Sequence, residues 1–188
     1  MTCTCARRSA FAVAAVAVLS VTTGCRGWAR VSGGGAYNLP DRPRQSGQVA
    51  SVDAAIGVPP IKAINGGKPL PFGVHTSGDV IIAPERKSVG WGTGVIFYGA
   101  PRPVGPYFIG GTSVHFDEIK GNFSFGNVSP YGEIGVLASV PSRYEDGGNG
   151  LFVSLGLAGA TYFNYLVGKG DNIDAFALVK LGIGWEKY

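Results

Sequence analysis

Charge is scarce in this chain, and so are the residues that build helices. Charged side chains make up 15% of it, against about 25% in ordinary soluble domains. The one methionine is the initiator, and Glu, Lys, Gln and Leu are sparse, while Gly (31 residues), Val, Phe and Tyr abound. That balance disfavours helices and suits strands broken by turns. Lys and Arg are scattered without a basic stripe, which argues against nucleic acid as a partner. Cysteine occurs only at 3, 5 and 25. Residues 26–188 therefore contain neither thiol nor disulfide, and stability must come from packing or from a closed hydrogen-bonded sheet. No low-complexity linker and no close internal repeat divides them, so they make one domain.

The N-terminus reads as a leader. Arg7 and Arg8 precede a twelve-residue apolar run, Ala10 to Val21, which suits a secretory signal and is too short to span a bilayer as a helix. Its end, Val21-Thr22-Thr23-Gly24-Cys25, resembles the lipobox of bacterial lipoproteins, with Thr22 where that family usually has Leu. The resemblance implies a signal peptide over 1–24, cleavage before Cys25, and a lipid such as palmitate carried on that cysteine. An Asp after the cysteine often retains such proteins at the inner membrane. Arg26 stands there instead, which implies the outer one. The Arg7-Arg8 pair also invites a twin-arginine export reading, but Phe11 falls one place late for that motif. Loss of the leader takes the net charge from +4 to +2.

Period-two alternation runs through most of 25–188 and predicts eight strands. Over 151–165, Leu151, Val153, Leu155, Leu157, Phe163 and Tyr165 share one face, opposite Ser154, Gly156, Ala158, Ala160 and Asn164. In the last strand Ala175, Ala177, Val179, Leu181, Ile183 and Trp185 oppose Lys180, Gly182, Gly184 and Glu186. The same pattern recurs over 131–140, 106–117, 90–98 and 72–82, and more weakly near 28–39 and 47–58. Turn signals such as Asn65-Gly66-Gly67 and Pro101-Arg102-Pro103 separate the segments.

The polar face decides which side meets water. It is mostly Gly, Ser and Ala with about one charge per strand, where a solvated face carries many more Lys and Glu. Gly90, Gly92 and Gly94 suit a narrow, crowded lumen. On the apolar face, Tyr37, Trp91, Phe116, Phe163, Tyr165 and Trp185 gather near strand ends, as in the aromatic belts of membrane barrels. Residues 26–188 thus resemble, by pattern, the small OmpA- and OmpX-like eight-stranded barrels of Gram-negative outer membranes. The resemblance implies an all-β, antiparallel up-and-down barrel with both ends periplasmic. Loops near 40–47, 83–89, 117–129 and 166–174 then lie outside, and turns near 59–71, 99–105 and 141–150 inside. That family commonly ends in an aromatic on the apolar face. Trp185 fits this and leaves Glu186-Lys187-Tyr188 as a tail. The alternative is a soluble β-sandwich or calycin-like barrel tethered by its lipid.

The chain's two histidines, His75 and His115, both fall on the inner face. His75-x-Ser77-x-Asp79 and Ser113-x-His115-x-Asp117 flank the strand lined by glycines, so their side chains can approach across it. His, Ser and carboxylate are the ingredients of an activated serine hydrolase, and two His with two Asp equally suit a metal. His75-x-Ser77 resembles the His-x-Ser dyad of outer-membrane lipid A deacylases, a family that carries it on the lipid-facing surface. The expectation from the residues themselves is a satisfied polar network with Arg30, Asp53, Glu133 and Lys180, and no catalysis, cofactor or metal. Gly33-Gly34-Gly35 lacks the strand–loop–helix context of a phosphate loop and reads as barrel interior. Outer-membrane lipid is the expected partner, with an envelope or extracellular contact through the loops. Oligomeric state has no signature in the sequence. Growth with a radioactive fatty acid is expected to label the protein, and Cys25→Ala to abolish the label. Unchanged labelling of that variant would sink the lipidation assignment.

Overall fold

In the computed structural model, residues 27–41, 43–57, 72–98, 104–139, 149–163 and 173–187 are described. They form eight strands: β1 (Gly27–Asn38), β2 (Gly47–Gly57), β3 (Phe72–Ala83), β4 (Arg86–Tyr98), β5 (Val104–Ile119), β6 (Asn122–Ser139), β7 (Asn149–Phe163) and β8 (Ile173–Lys187). Each pairs antiparallel with the next, and β8 pairs back onto β1, so the sheet closes with no edge. The eight strands are those the alternation predicts, and the up-and-down barrel is the one the resemblance implied rather than a sandwich. The two ends of the described chain meet in one ladder, Gly27 opposite Lys187. The leader over 1–24, Cys25, and most of the expected turns near 59–71, 99–105 and 141–150 lie outside the described residues.

Two expected loops need correction. The 83–89 loop shrinks to the turn Pro84–Glu85, and most of 117–129 is strand. β5 and β6 meet at a two-residue turn, Lys120–Gly121, where φ is +51° and +79°. Such paired positive φ values match the right-handed twist of hairpin strands. Alternation does continue through these stretches, but in polar side chains. Arg86 and Ser88 point in, while Lys87 and Val89 point out. A register shift between His115 and Phe116 puts a bulge in the β5–β6 ladder, pairing His115 with Asn127 but Phe116 with Phe125.

The outward face is apolar around the whole barrel. Val31, Val74, Val95, Ile134, Leu157 and Leu181 all stand exposed, Leu181 at 67%. The inward face is less uniformly polar than its Gly, Ser and Ala content implied. Trp28, Ile96, Tyr107, Ile109, Leu137 and Phe152 fill the end of the lumen near the chain termini. Ala36, Val49, Ile81, Phe176 and Leu178 fill the other end. Tyr131 packs against both groups, with the buried charges between them. An eight-stranded interior is just wide enough for side chains to fill.

At the end away from the termini, the turns are stitched into a rim. Glu85 N–H donates to Arg44 O at 3.0 Å, and Lys120 N–H to Glu85 O at 3.0 Å. The Glu85 carboxylate takes Arg44 at 3.1 Å and Lys120 at 3.3 Å, and Lys87 meets Glu118 at 3.4 Å. Hydrogen bonding from Arg44, then from Lys120, holds the Glu85 carboxyl below its ordinary value. Its contribution is therefore present above the ordinary glutamate pKa and is lost as pH falls through the lower, folded value.

Glycine is required where strands crowd. A Cβ on Gly94 would collide with the Gly110 carbonyl and stand 2.7 Å from the Gly111 Cα, whereas one on Gly159 meets nothing within 4 Å. Gly94→Ala is expected to destabilise by about 1–3 kcal/mol through overpacking, and Gly159→Ala to leave stability unchanged. Urea unfolding followed by tryptophan fluorescence measures both.

Candidate functional site

The inward residues of β3, β4 and β5 lie in register. Asp79 is opposite Gly90, which is opposite His115, and Ser77, Gly92 and Ser113 form the next row. A Cβ at Gly90 would strike the His115 ring and stand 2.7 Å from Asp79 Oδ1, and at Gly92 it would lie 2.7 Å from Ser77 Oγ. The glycines are thus the space into which the flanking strands' polar side chains reach. His75, Ser77, Asp79, Ser113, His115 and Asp117 all point inward, as parity predicts. They divide into two groups rather than one.

The group nearer the termini centres on Arg30. Its Nε donates to Asp53 Oδ2 at 3.1 Å, and its Nη1 to Glu133 Oε1 at 2.7 Å and the Tyr107 hydroxyl at 2.8 Å. Lys180 donates to Glu133 Oε2 at 3.0 Å. His75 shares a 2.8 Å hydrogen bond with the Tyr131 hydroxyl through Nδ1, and its Nε2 stands 3.4 Å from Asp53 Oδ1. Ser51 extends the network, donating to Asp53 at 3.2 Å. Two cations face two carboxylates here, each side chain buried.

The second group centres on His115. Its Nε2 lies 2.8 Å from Ser113 Oγ, and its Nδ1 lies 3.1 Å from Ser88 Oγ and 3.8 Å from Asp79 Oδ2. Arg86 donates to Asp117 at 3.0 Å, and its guanidinium sits 4.8 Å from the Phe176 ring centroid. Between the groups is a cavity of about 30 Å³, lined by Ser77, Asp79, Ser113, His115, Tyr131 and Lys180 with three apolar neighbours. That is room for water.

Ser113, His115 and Asp79 stand in the order of a hydrolase relay. The relay is incomplete, because Ser88 occupies hydrogen-bonding range of the Nδ1 that a carboxylate would need to orient. Nor does the cavity admit an acyl group. The outward dyad implied by the deacylase resemblance is absent: His75 and Ser77 face the lumen and are buried. The metal reading also loses its basis, since the two histidines serve different groups. Among the described residues no three His, Cys, Asp or Glu gather as ligands.

Sequence reading missed Tyr107, Tyr131, Arg86 and Ser88. The tyrosines share parity with Ser113 and Glu133 and were within reach of the same alternation. Arg86 and Ser88 fell in a stretch read as loop.

No protein-family profile and no curated protein matches the chain. Its fold is similar to solved structures. Neisserial surface protein A (NspA) is 14% identical, with 88% of this chain and 97% of that one covered and a TM-score of 0.56. The outer membrane enzyme PagL is 13% identical over 82% and 97%, with a TM-score of 0.49. The beta domain of the Bordetella autotransporter BrkA is 9% identical over 87% and 99%, with a TM-score of 0.32. The first of these likenesses shows the shared barrel fold.

Removing Arg30 takes the cation from buried Asp53 and leaves buried Glu133 with Lys180 alone. Arg30→Ala is expected to cost about 3–5 kcal/mol. His115→Ala, which leaves Ser113 and Ser88 without their ring partner, is expected to cost about 1–3 kcal/mol. Equal, negligible losses in urea unfolding would contradict the network assigned here.

Proposed function

We propose that the chain is a small outer-membrane barrel of a Gram-negative envelope, with its rim and loops facing outward and a structural or interaction role. The observation that carries this reading is the inversion of the barrel. Arg30, Asp53, Glu133 and Lys180 are buried in the lumen, while Val, Leu, Ile and Phe side chains cover the outside. A barrel in water hides the second set and displays the first. A barrel in hydrocarbon does the reverse, with every backbone group paired in the closed ladder. Aromatics support the placement. Phe72, Phe97 and Phe108 cluster on the outward face towards the end bearing the termini, with ring centroids 6.0 and 6.4 Å apart. Tyr37, Phe116 and Phe123 are exposed towards the other. The likeness to Neisserial surface protein A agrees with this setting.

Lipidation of Cys25 is part of the proposal. Cys25 precedes Gly27 by two residues, a reach of at most about 7 Å, and Gly27 starts β1 beside the last strand. An acyl chain there enters the leaflet on the side of the chain ends, which the anchored topology requires. The lumen favours a non-enzymatic role, since His115 is engaged by Ser88 and Ser113 and His75 by Tyr131, between apolar plugs.

The folded protein is expected to require detergent or lipid for solubility and to migrate faster in SDS without boiling than after it. A mature protein soluble without detergent would overturn the membrane reading in favour of a lipid-tethered soluble barrel. Large stable conductances in planar bilayers would contradict the filled lumen.

A further inference from the structure

We propose that the rim opposite the termini binds the phosphate group of a membrane lipid, through Arg44 and Lys120. The inference rests on the barrel being embedded in a bilayer. Arg44 Nη1 and Lys120 Nζ approach the two oxygens of one carboxylate, Glu85, at 3.1 and 3.3 Å. Two cations that span a single carboxylate can also span a single phosphate. A phosphate monoester carries more charge than a carboxylate and more acceptor oxygens. Glu85 is therefore an internal competitor that keeps the cations converged. The arrangement is held by backbone as well as side chains, because the three turns are joined by the Arg44–Glu85 and Glu85–Lys120 main-chain hydrogen bonds. A cavity of about 390 Å³ opens against Pro43, Arg44, Gln45, Glu85 and Lys120.

Height on the barrel identifies the source of the phosphate. Lys87 points outward directly above Val89 on β4, and Glu118 directly above Phe116 on β5, so polar side chains replace apolar ones at this level. Phe123, 84% exposed, and Leu39 flank the rim. A lipid whose acyl chains lie against this apolar face presents its headgroup at the cations. Free phosphate would meet the cations alone, which are exposed and screened by salt.

Trp91 reports on the chains of such a lipid. It faces outward on β4, four residues below Lys87, or about 13 Å along the strand. The test uses a Trp185→Phe background in phosphatidylcholine vesicles containing one part in about ten of phosphatidic acid, with bromine on the acyl chains of either lipid. Brominated phosphatidic acid is expected to quench Trp91 with an apparent affinity about fivefold or more above that of brominated phosphatidylcholine, the factor for roughly one cation near an anionic surface. Arg44→Gln with Lys120→Gln should abolish the preference. Glu85→Gln, which keeps the shape of the rim and removes the competitor, should raise it. Inorganic phosphate should leave it intact, and its loss to inorganic phosphate would overturn the lipid as the source. Insertion with equal quenching by both lipids, or a preference unchanged in either variant, overturns this inference alone. A protein that does not enter phosphatidylcholine vesicles at all overturns the membrane reading, and this inference with it.

Discussion

Arg30 is the side chain on which the interior depends. It is 2% exposed, and its guanidinium bonds Asp53 from β2, Tyr107 from β5 and Glu133 from β6. One residue on β1 is therefore tied to strands on the opposite wall, and Lys180 on β8 reaches the same Glu133. Burying charge is costly unless every partner is present. Here Arg30 and its partners come from five of the eight strands, so the network is assembled only when the barrel has its full complement and correct register. A one-residue slip in any ladder would turn a charge outward.

The glycines follow from that arrangement. Arg30, His115 and Tyr107 are too large to share a narrow lumen with side chains from every neighbouring strand. Gly182 faces the Arg30 stem, Gly90 faces His115, and Gly135 and Gly156 face Tyr107. Large and absent side chains alternate around the wall, which is how eight strands close on a filled interior without a channel.

Eight strands, their facing and the inward set of His, Ser, Asp and charged residues were legible because period-two alternation is a local property. The glycine-lined strand between the His75–Asp79 and Ser113–Asp117 stretches was legible too, since parity is read strand by strand, whereas the pairing of Asp79, Gly90 and His115 was not. What escaped is non-local or masked by composition. The division of the inner residues into two groups depends on which side chains from opposite walls reach Tyr131. The apolar plugs formed by Phe152 and Phe176 sit at inward parity but were hidden among Gly, Ser and Ala. The β5–β6 hairpin was cut short because its outer part trades apolar for polar residues while remaining strand. The bulge at His115–Phe116 leaves no mark in the alternation of β5, because the shift is taken up on β6.

The pairing of β1 with β8 carries a kinetic consequence. Gly27 and Lys187 stand at opposite ends of the described chain yet face each other in a ladder. Closing so long a loop costs entropy that nearer contacts cannot offset in advance. The hairpins can form in sequence as the chain emerges, but the first strand stays unpaired on one side until the last arrives. Until then Arg30 lacks Lys180 as a second cation for Glu133, and the nascent sheet exposes two open edges. Assembly is thus gated by the C-terminal strand, and a chain cut short before it has a charged interior and no way to close around it.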